Sequence, residues 1–159
     1  MTKIRYEIEL ASVPAITAPP GMRRVERRDL EALADLMLDA YVGTIDYEDE
    51  DYEDALSEVS GWLDDAPLLD HSYVLETAGR FDSAVLVCSV SDAPFIAYVM
   101  TRAEHKGRGL ARQVTTHAIA SLAMAGHAQV VFFITEGNVP SERLFRSVGA
   151  IATPSEAGI

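Results

Sequence analysis

EHKGRGLAR, residues 104–112, puts two glycines and three basic side chains together in a 159-residue chain whose formal net charge is −12. What surrounds this stretch decides how it is read. Before it, Pro94–Arg102 has the composition of a strand. After it, Leu110, Val114, Ala118, Leu122 and Ala125 recur at helical spacing, and Gly126 supplies a stop. VVFFI, residues 130–134, follows as an almost purely apolar run, expected of a strand buried on both faces. The order strand, glycine turn, helix, strand is a βαβ unit. At such a turn the first helical N–H groups lack acceptors and the helix dipole adds positive charge. Glycines let an anion approach the main chain, and Lys106, Arg108 and Arg112 add charge, so the turn is a candidate pyrophosphate cradle. The dinucleotide fingerprint is excluded, since Arg112 stands where its third glycine belongs, and no Gly-Lys-Ser/Thr follows. From the turn alone, an ordinary strand-to-helix connection with a solvated basic face reads equally well.

Outward from this unit the pattern stays that of one domain. Ile4, Tyr6, Ile8 and Leu10 alternate as in a half-buried strand, residues 14–21 form a Pro/Gly connector, and Met22–Glu26 reads as a short strand. Leu30, Leu33, Ala34, Met37 and Tyr41 mark a helix with Asp29 as its N-cap, and a second helix is expected over Glu53–Leu63. Strands over Ser72–Thr77, Ser83–Val90 and Pro94–Arg102 would form an antiparallel meander, with a turn at Ser91–Asp92. The last helix is expected over Val139–Val148, ended by Gly149.

Composition narrows the classes of partner. A hydrophobic fraction of 48% supplies a core, and no apolar run approaches the ~20 residues of a membrane span. The acidic pI near 4.6 argues against nucleic acid or an anionic membrane and suits a cationic substrate. The lone Cys88 reads as a small buried hydrophobe, and MTKIRYEIEL lacks the apolar stretch of a signal peptide, so a cytoplasmic setting is expected. His71, His117 and His127 show no metal-ligand spacing, so no metal is expected.

KGRGLA, Lys106–Ala111, resembles the coenzyme A-binding signature of the GCN5-related N-acetyltransferases, with Gly109 and Ala111 matching and Lys106 in the place of Gln or Arg. NVPSERLFRSVGA, from Asn138, resembles that family's second signature through Asn138, Ser141, Leu144, Phe145 and Gly149. The resemblance spans about residues 22–150. It implies an α/β (α+β) fold: a mixed, largely antiparallel sheet flanked by helices, here with an extra N-terminal strand. The whole chain, 1–159, would be one acetyltransferase domain, with 1–21 as strand and connector and 22–150 as core.

The resemblance also implies roles. Backbone amides of Gly107, Arg108, Gly109, Leu110, Ala111 and Arg112, with the charge of Lys106, would hold the pyrophosphate of acetyl-CoA. Val99, Met100 and Thr101 would pair with the pantetheine arm, and their strand and VVFFI would splay apart to admit it. Asn138 and Ser141 would lie near the thiol. The chemistry implied is attack of a neutral amine on the thioester, giving an N-acetyltransferase with a small amine acceptor and no metal. Acetylation of a protein or peptide amine, or acyl-CoA binding without catalysis, are the alternatives, and a homodimer is left open.

Two departures from the family pattern stand out. Phe145 occupies the place of the usual tyrosine, whose hydroxyl can protonate the thiolate, and Ala150 replaces the terminal aromatic. Ser141 or water would then donate. For the amine's proton, Glu76, Tyr98, Glu104, His105 and Glu136 fall near strand ends, with Glu136 the leading candidate beside Asn138 and Ser141. The acidic run DYEDEDYED, residues 46–54, has two readings. It is a solvated helix start favoured by the dipole, or it draws a cationic acceptor, with Tyr47 and Tyr52 packing on an alkylamine.

Overall fold

A computed structural model describes residues 2–153. Seven strands form one sheet in the order β2-β3-β4-β5-β6-β1-β7. They are β1 (Lys3–Glu9), β2 (Met22–Arg24), β3 (Tyr73–Thr77), β4 (Arg80–Val90), β5 (Ala93–Thr101), β6 (Gln129–Thr135) and β7 (Ile151–Ala152). Only β5 and β6 are parallel, and every other neighbouring pair is antiparallel. Helices α1 (Leu30–Tyr41) and α2 (Tyr52–Asp64) cover one face, burying Leu33, Leu36, Val59 and Trp62 against Leu86 and Met100. Helices α3 (Leu110–Met124) and α4 (Val139–Ser147) cover the other, where Val114, Leu122 and Phe145 meet Val85, Ile96 and Phe132. The expected architecture is therefore present, including the N-terminal strand. Among the described residues no helix is long and apolar enough to cross a membrane.

The N-terminal strand takes a place that its local pattern did not specify. It runs antiparallel to β6 from Lys3↔Thr135 to Glu9↔Gln129, and β7 pairs only with its outer edge. The slot beside β6 is thus filled by the N-terminal strand. β6 itself is less buried than its sequence suggests. Val130, Phe132 and Ile134 are buried, while Phe133 is 49% exposed. The face carrying Phe133 borders a cleft, so the apolar run is buried on one face only. Likewise Ala125, expected on the buried stripe of α3, is exposed at the helix end.

The gap that matters lies between β5 and β6. Their ladder consists of a single pair, Phe95↔Val131. On the other side of β5, Leu86 faces Tyr98 and Val87 faces Ile96, leaving Ala97 as an extra residue. A bulge of this kind bends the strand that carries it. β5 therefore swings away from β6 just beyond the one pair that joins them.

Asp29 holds the N-cap position of α1, but its carboxylate does not cap that helix. It accepts two bonds from Arg23, at 2.9 and 3.0 Å, and one from the Glu26 N–H at 2.8 Å. Burial opposes its ionisation, yet the bonds from Arg23 and Glu26 outweigh burial and hold the carboxyl below its ordinary value. A depressed pKa gives stability that is complete above the unfolded value of about 3.9 and lost as pH falls through the folded one. Asp29→Asn is expected to cost about 1–3 kcal/mol at neutral pH, because it strips the charge from a largely buried pair. That deficit should shrink as pH falls through the folded value, where the native carboxyl becomes neutral too. Urea unfolding of both proteins across this range checks it, and a deficit independent of pH would refute the assignment.

Candidate functional site

The glycine turn has the geometry of an anion cradle. Gly107 and Gly109 have φ of 84° and 78°, a conformation that side chains strain. A Cβ at either position would meet nothing within 4 Å, so the space over the main chain is open. Gln113 N–H bonds back to Gly109 C=O at 3.1 Å, which leaves the N–H groups of Leu110, Ala111 and Arg112 without acceptors inside the helix. Arg108 and Arg112 are exposed beside the turn, and Arg108 also bonds to His105 at 3.0 Å. Lys106 is a correction to the expected cluster. Its ammonium donates to Ala40 C=O at 2.7 Å, so its charge is committed to the C-terminus of α1 rather than to the cradle.

The open edge of β5 leads from the turn into the gap. Arg102 N–H donates to Asp82 C=O, and Met100 C=O accepts from Ser83 Oγ at 2.7 Å. Residues 100 and 102 therefore turn their main chain toward β4. By strand alternation Val99 and Thr101 turn theirs toward the gap. Of the three residues expected to pair with an extended ligand, Val99 and Thr101 offer free main-chain groups and Met100 does not. Its side chain is buried beneath α1 and α2.

The gap opens onto a cleft of about 470 Å³ that crosses the sheet between the two helical layers. Phe132 and Phe145 form an apolar wall, their rings stacked 3.9 Å apart. Asn138 and Ser141 line the cleft at the start of α4. Asn138 caps that helix by accepting from Ser141 N–H at 3.3 Å, and its amide donates to Asp46 at 3.1 Å. Asp46 also accepts from Thr135 Oγ1 at 2.8 Å, so the loop after α1 is stapled across the end of β6.

The acidic run divides between its two readings. Asp46, Tyr47, Glu48, Glu50 and Asp54 line the cleft. Asp51 does not; it caps α2 in a reciprocal box with Asp54. Tyr52 lies outside the cleft with its hydroxyl toward Glu31 C=O, which removes it from the acceptor side.

The leading base candidate is also corrected. Glu136 is exposed and does not line the cleft; its N–H continues the ladder to Thr2 C=O, one step past the cleft-facing Thr135. Glu76 pairs with Arg23, Glu104 with Arg80, and His105 lies 3.3 Å from Asp82, all away from the cleft. Tyr98 is the one candidate of that group inside it, donating to Glu58 at 2.5 Å. Burial, and then Glu58, push the Tyr98 phenol far above its ordinary value. Burial, with Asp46 and Glu58 nearby, does the same to Tyr41 of α1. Glu58, Tyr41 and Lys3, the one basic residue lining the cleft among the described residues, were not anticipated from sequence. Burial also raises the Cys88 thiol, as fits a packed small hydrophobe.

Comparison with known proteins agrees with this geometry. The family described as "FR47-like protein" matches residues 78–156. Comparison with curated proteins finds no match. Among solved structures, a GCN5-related N-acetyltransferase from Sphaerobacter thermophilus superposes with a TM-score of 0.73 at 19% identity, covering 95% of this chain. The chain spans 48% of that protein's length. The ribosomal-protein-S18-alanine N-acetyltransferase of Escherichia coli gives 0.65 at 17% identity, over 80% of this chain and 75% of its own. YncA of Salmonella typhimurium, a putative acetyltransferase solved with its cofactor acetyl-CoA, gives 0.62 at 19%, over 80% and 77%. With its split β5–β6 pair and its glycine turn at the head of α3, the chain has the fold of the GCN5-related N-acetyltransferases, and its residues 78–156 match the FR47-like family.

Proposed function

We propose that this chain moves the acetyl group of acetyl-CoA to the primary amine of a small molecule, by direct attack in a ternary complex. The observation that carries the reading is the order along the chain of an open β5 edge at Val99 and Thr101, the glycine turn that follows it, and a cleft lined by Val99 and by acids. In this reading the N–H groups from Gly107 to Arg112 hold the pyrophosphate. Val99 and Thr101 hold the pantetheine arm, and Asn138 and Ser141 lie at its far end. A main-chain N–H on the open edge is placed to stabilise the thioester oxyanion, and alignment of amine and carbonyl supplies much of the rate. Ser141 is the hydroxyl on the α4 side that can protonate the leaving thiolate, since Phe145 cannot. A thiolate is a good leaving group in any case.

The small, cationic acceptor is favoured by the acids at the cleft and by the chain's net charge of −12. The Escherichia coli relative's name keeps a protein amine as the second reading. Phe145 in place of a hydroxyl favours a third, an acyl-CoA-binding module without turnover. The deciding experiment combines calorimetric titration with acetyl-CoA and thiol release over a panel of primary amines: an alkyl monoamine, an alkyl diamine, an aminosugar and a dipeptide with a free α-amine. We expect micromolar binding, and release with the small cations above that with the dipeptide. Binding without release from any amine would leave the binding module. No binding would remove the cofactor site altogether.

A further inference from the structure

We propose that Glu58, positioned by Tyr98, takes the proton from the acceptor's ammonium; this rests on the transfer reading of the cleft given above. Tyr98 is the first residue past the Ala97 bulge and immediately precedes Val99, whose main chain faces the gap. Its hydroxyl, donating to Glu58 Oε2 at 2.5 Å, holds that carboxylate over the strand along which the thioester arm would run. Because burial and Glu58 raise the phenol, Tyr98 keeps its proton at working pH and is a fixed donor. Glu58 itself is exposed on α2, so a proton it accepts can leave to solvent.

The other acids of the cleft are spent or remote. Asp46 accepts from Thr135 and Asn138, Asp54 accepts the Asp51 N–H in the helix cap, and Glu50 accepts the Glu48 N–H at 2.8 Å. Glu48 lies on the loop rather than beside β5. The remaining titratable groups facing Glu58 across the cleft are Tyr41 on α1, Tyr47 on the loop and Lys3 on β1.

A base is needed because an alkylamine resembling a lysine side chain is protonated in all but roughly one molecule in a thousand at neutral pH. An ammonium carries three protons and the amide product keeps one. Glu58 takes the first and passes it to solvent. The freed lone pair forms the N–C bond, the C–S bond breaks with its electron pair on sulfur, and the second proton, lost from nitrogen, ends on the thiolate.

The test uses the full chain, acetyl-CoA and whichever amine of the panel gives the fastest thiol release. Glu58→Gln should lower kcat/KM about 100-fold at neutral pH and leave acetyl-CoA affinity unchanged. Its deficit should shrink as pH rises and the amine deprotonates unaided. Tyr98→Phe should lower the rate by about tenfold and displace the acidic limb of the pH profile. Glu48→Gln should raise KM for the amine without moving that limb, and Glu53→Gln, on the same helix but outside the cleft, should change neither. A Glu58→Gln enzyme that keeps the native rate and limb overturns the proposal, as does a Glu48→Gln enzyme that loses them. If acetyl-CoA binds but no amine releases thiol from the native chain, the transfer reading fails and this inference falls with it. Turnover with an unmoved Glu58→Gln profile sinks this inference alone.

Discussion

Gly109→Glu is expected to weaken acetyl-CoA binding at least about 100-fold on titration, a loss of about 2.7 kcal/mol. Two effects act together. At φ of 78° any side chain is strained, by roughly 1–2 kcal/mol. More importantly, the open space above Gly109 would receive a carboxylate where the N–H groups of Leu110, Ala111 and Arg112 point. A negative charge there repels a pyrophosphate and competes for its donors. Gly109→Asn separates the two contributions, since asparagine tolerates the left-handed conformation and brings no charge. It should keep affinity within about tenfold of native. Equal binding by the native chain and Gly109→Glu would place the pyrophosphate elsewhere.

The second large effect is on stability. Phe132→Ala is expected to cost about 3–5 kcal/mol and to lower the midpoint of thermal unfolding by roughly 10 °C. Phe132 is 1% exposed and its ring is shared by two neighbours. Tyr6 of β1 stacks on it at 5.7 Å and Phe145 of α4 at 3.9 Å. Truncation leaves a void at the junction of the N-terminal strand, the middle of the sheet and the last helix. Thermal unfolding followed by circular dichroism measures it. A loss below about 1 kcal/mol would mean that the three rings do not act as one packed unit.

The elements most legible in sequence were those whose information is local. α1, α2, the meander and the glycine turn all announce themselves through periodicity and turn residues, because their stabilising contacts repeat along the chain. Ser91–Asp92 is one case: both residues adopt positive φ, as a tight hairpin turn demands. Where pairing is distant, local pattern is silent. Nothing in KIRYEIE specifies β6 as its partner, and nothing in VVFFI reveals that Phe133 would face a cleft. The site divides the same way. The glycine turn was readable as a turn from its own residues, but as a candidate cradle only with the second signature from Asn138 beside it, since alone it reads equally well as an ordinary connection. Glu58 was not, because an acid on the polar face of an amphipathic helix looks like any solvated residue until the fold brings Tyr98 to it. Tyr41 was hidden in the opposite sense, since its spacing matched the core stripe of α1. Glu136 misled because proximity in sequence to Asn138 stood in for direction, and in a strand adjacent residues face opposite ways.

The placement of β1 bears on how the chain acquires its shape. Arg5 Nη1 donates to Thr153 Oγ1 at 2.7 Å across 148 positions of sequence. Contacts so far apart close the largest loop among the described residues, and such contacts slow folding. On a ribosome β1 would emerge well before β6 and find its partner only after β6 has been made. Until then the seam along β6 stays an unpaired, apolar edge, the kind of surface that invites association with other chains. Chaperone dependence and aggregation during synthesis would therefore concentrate at this seam, and the finished cleft wall would be among the last parts of the molecule to mature.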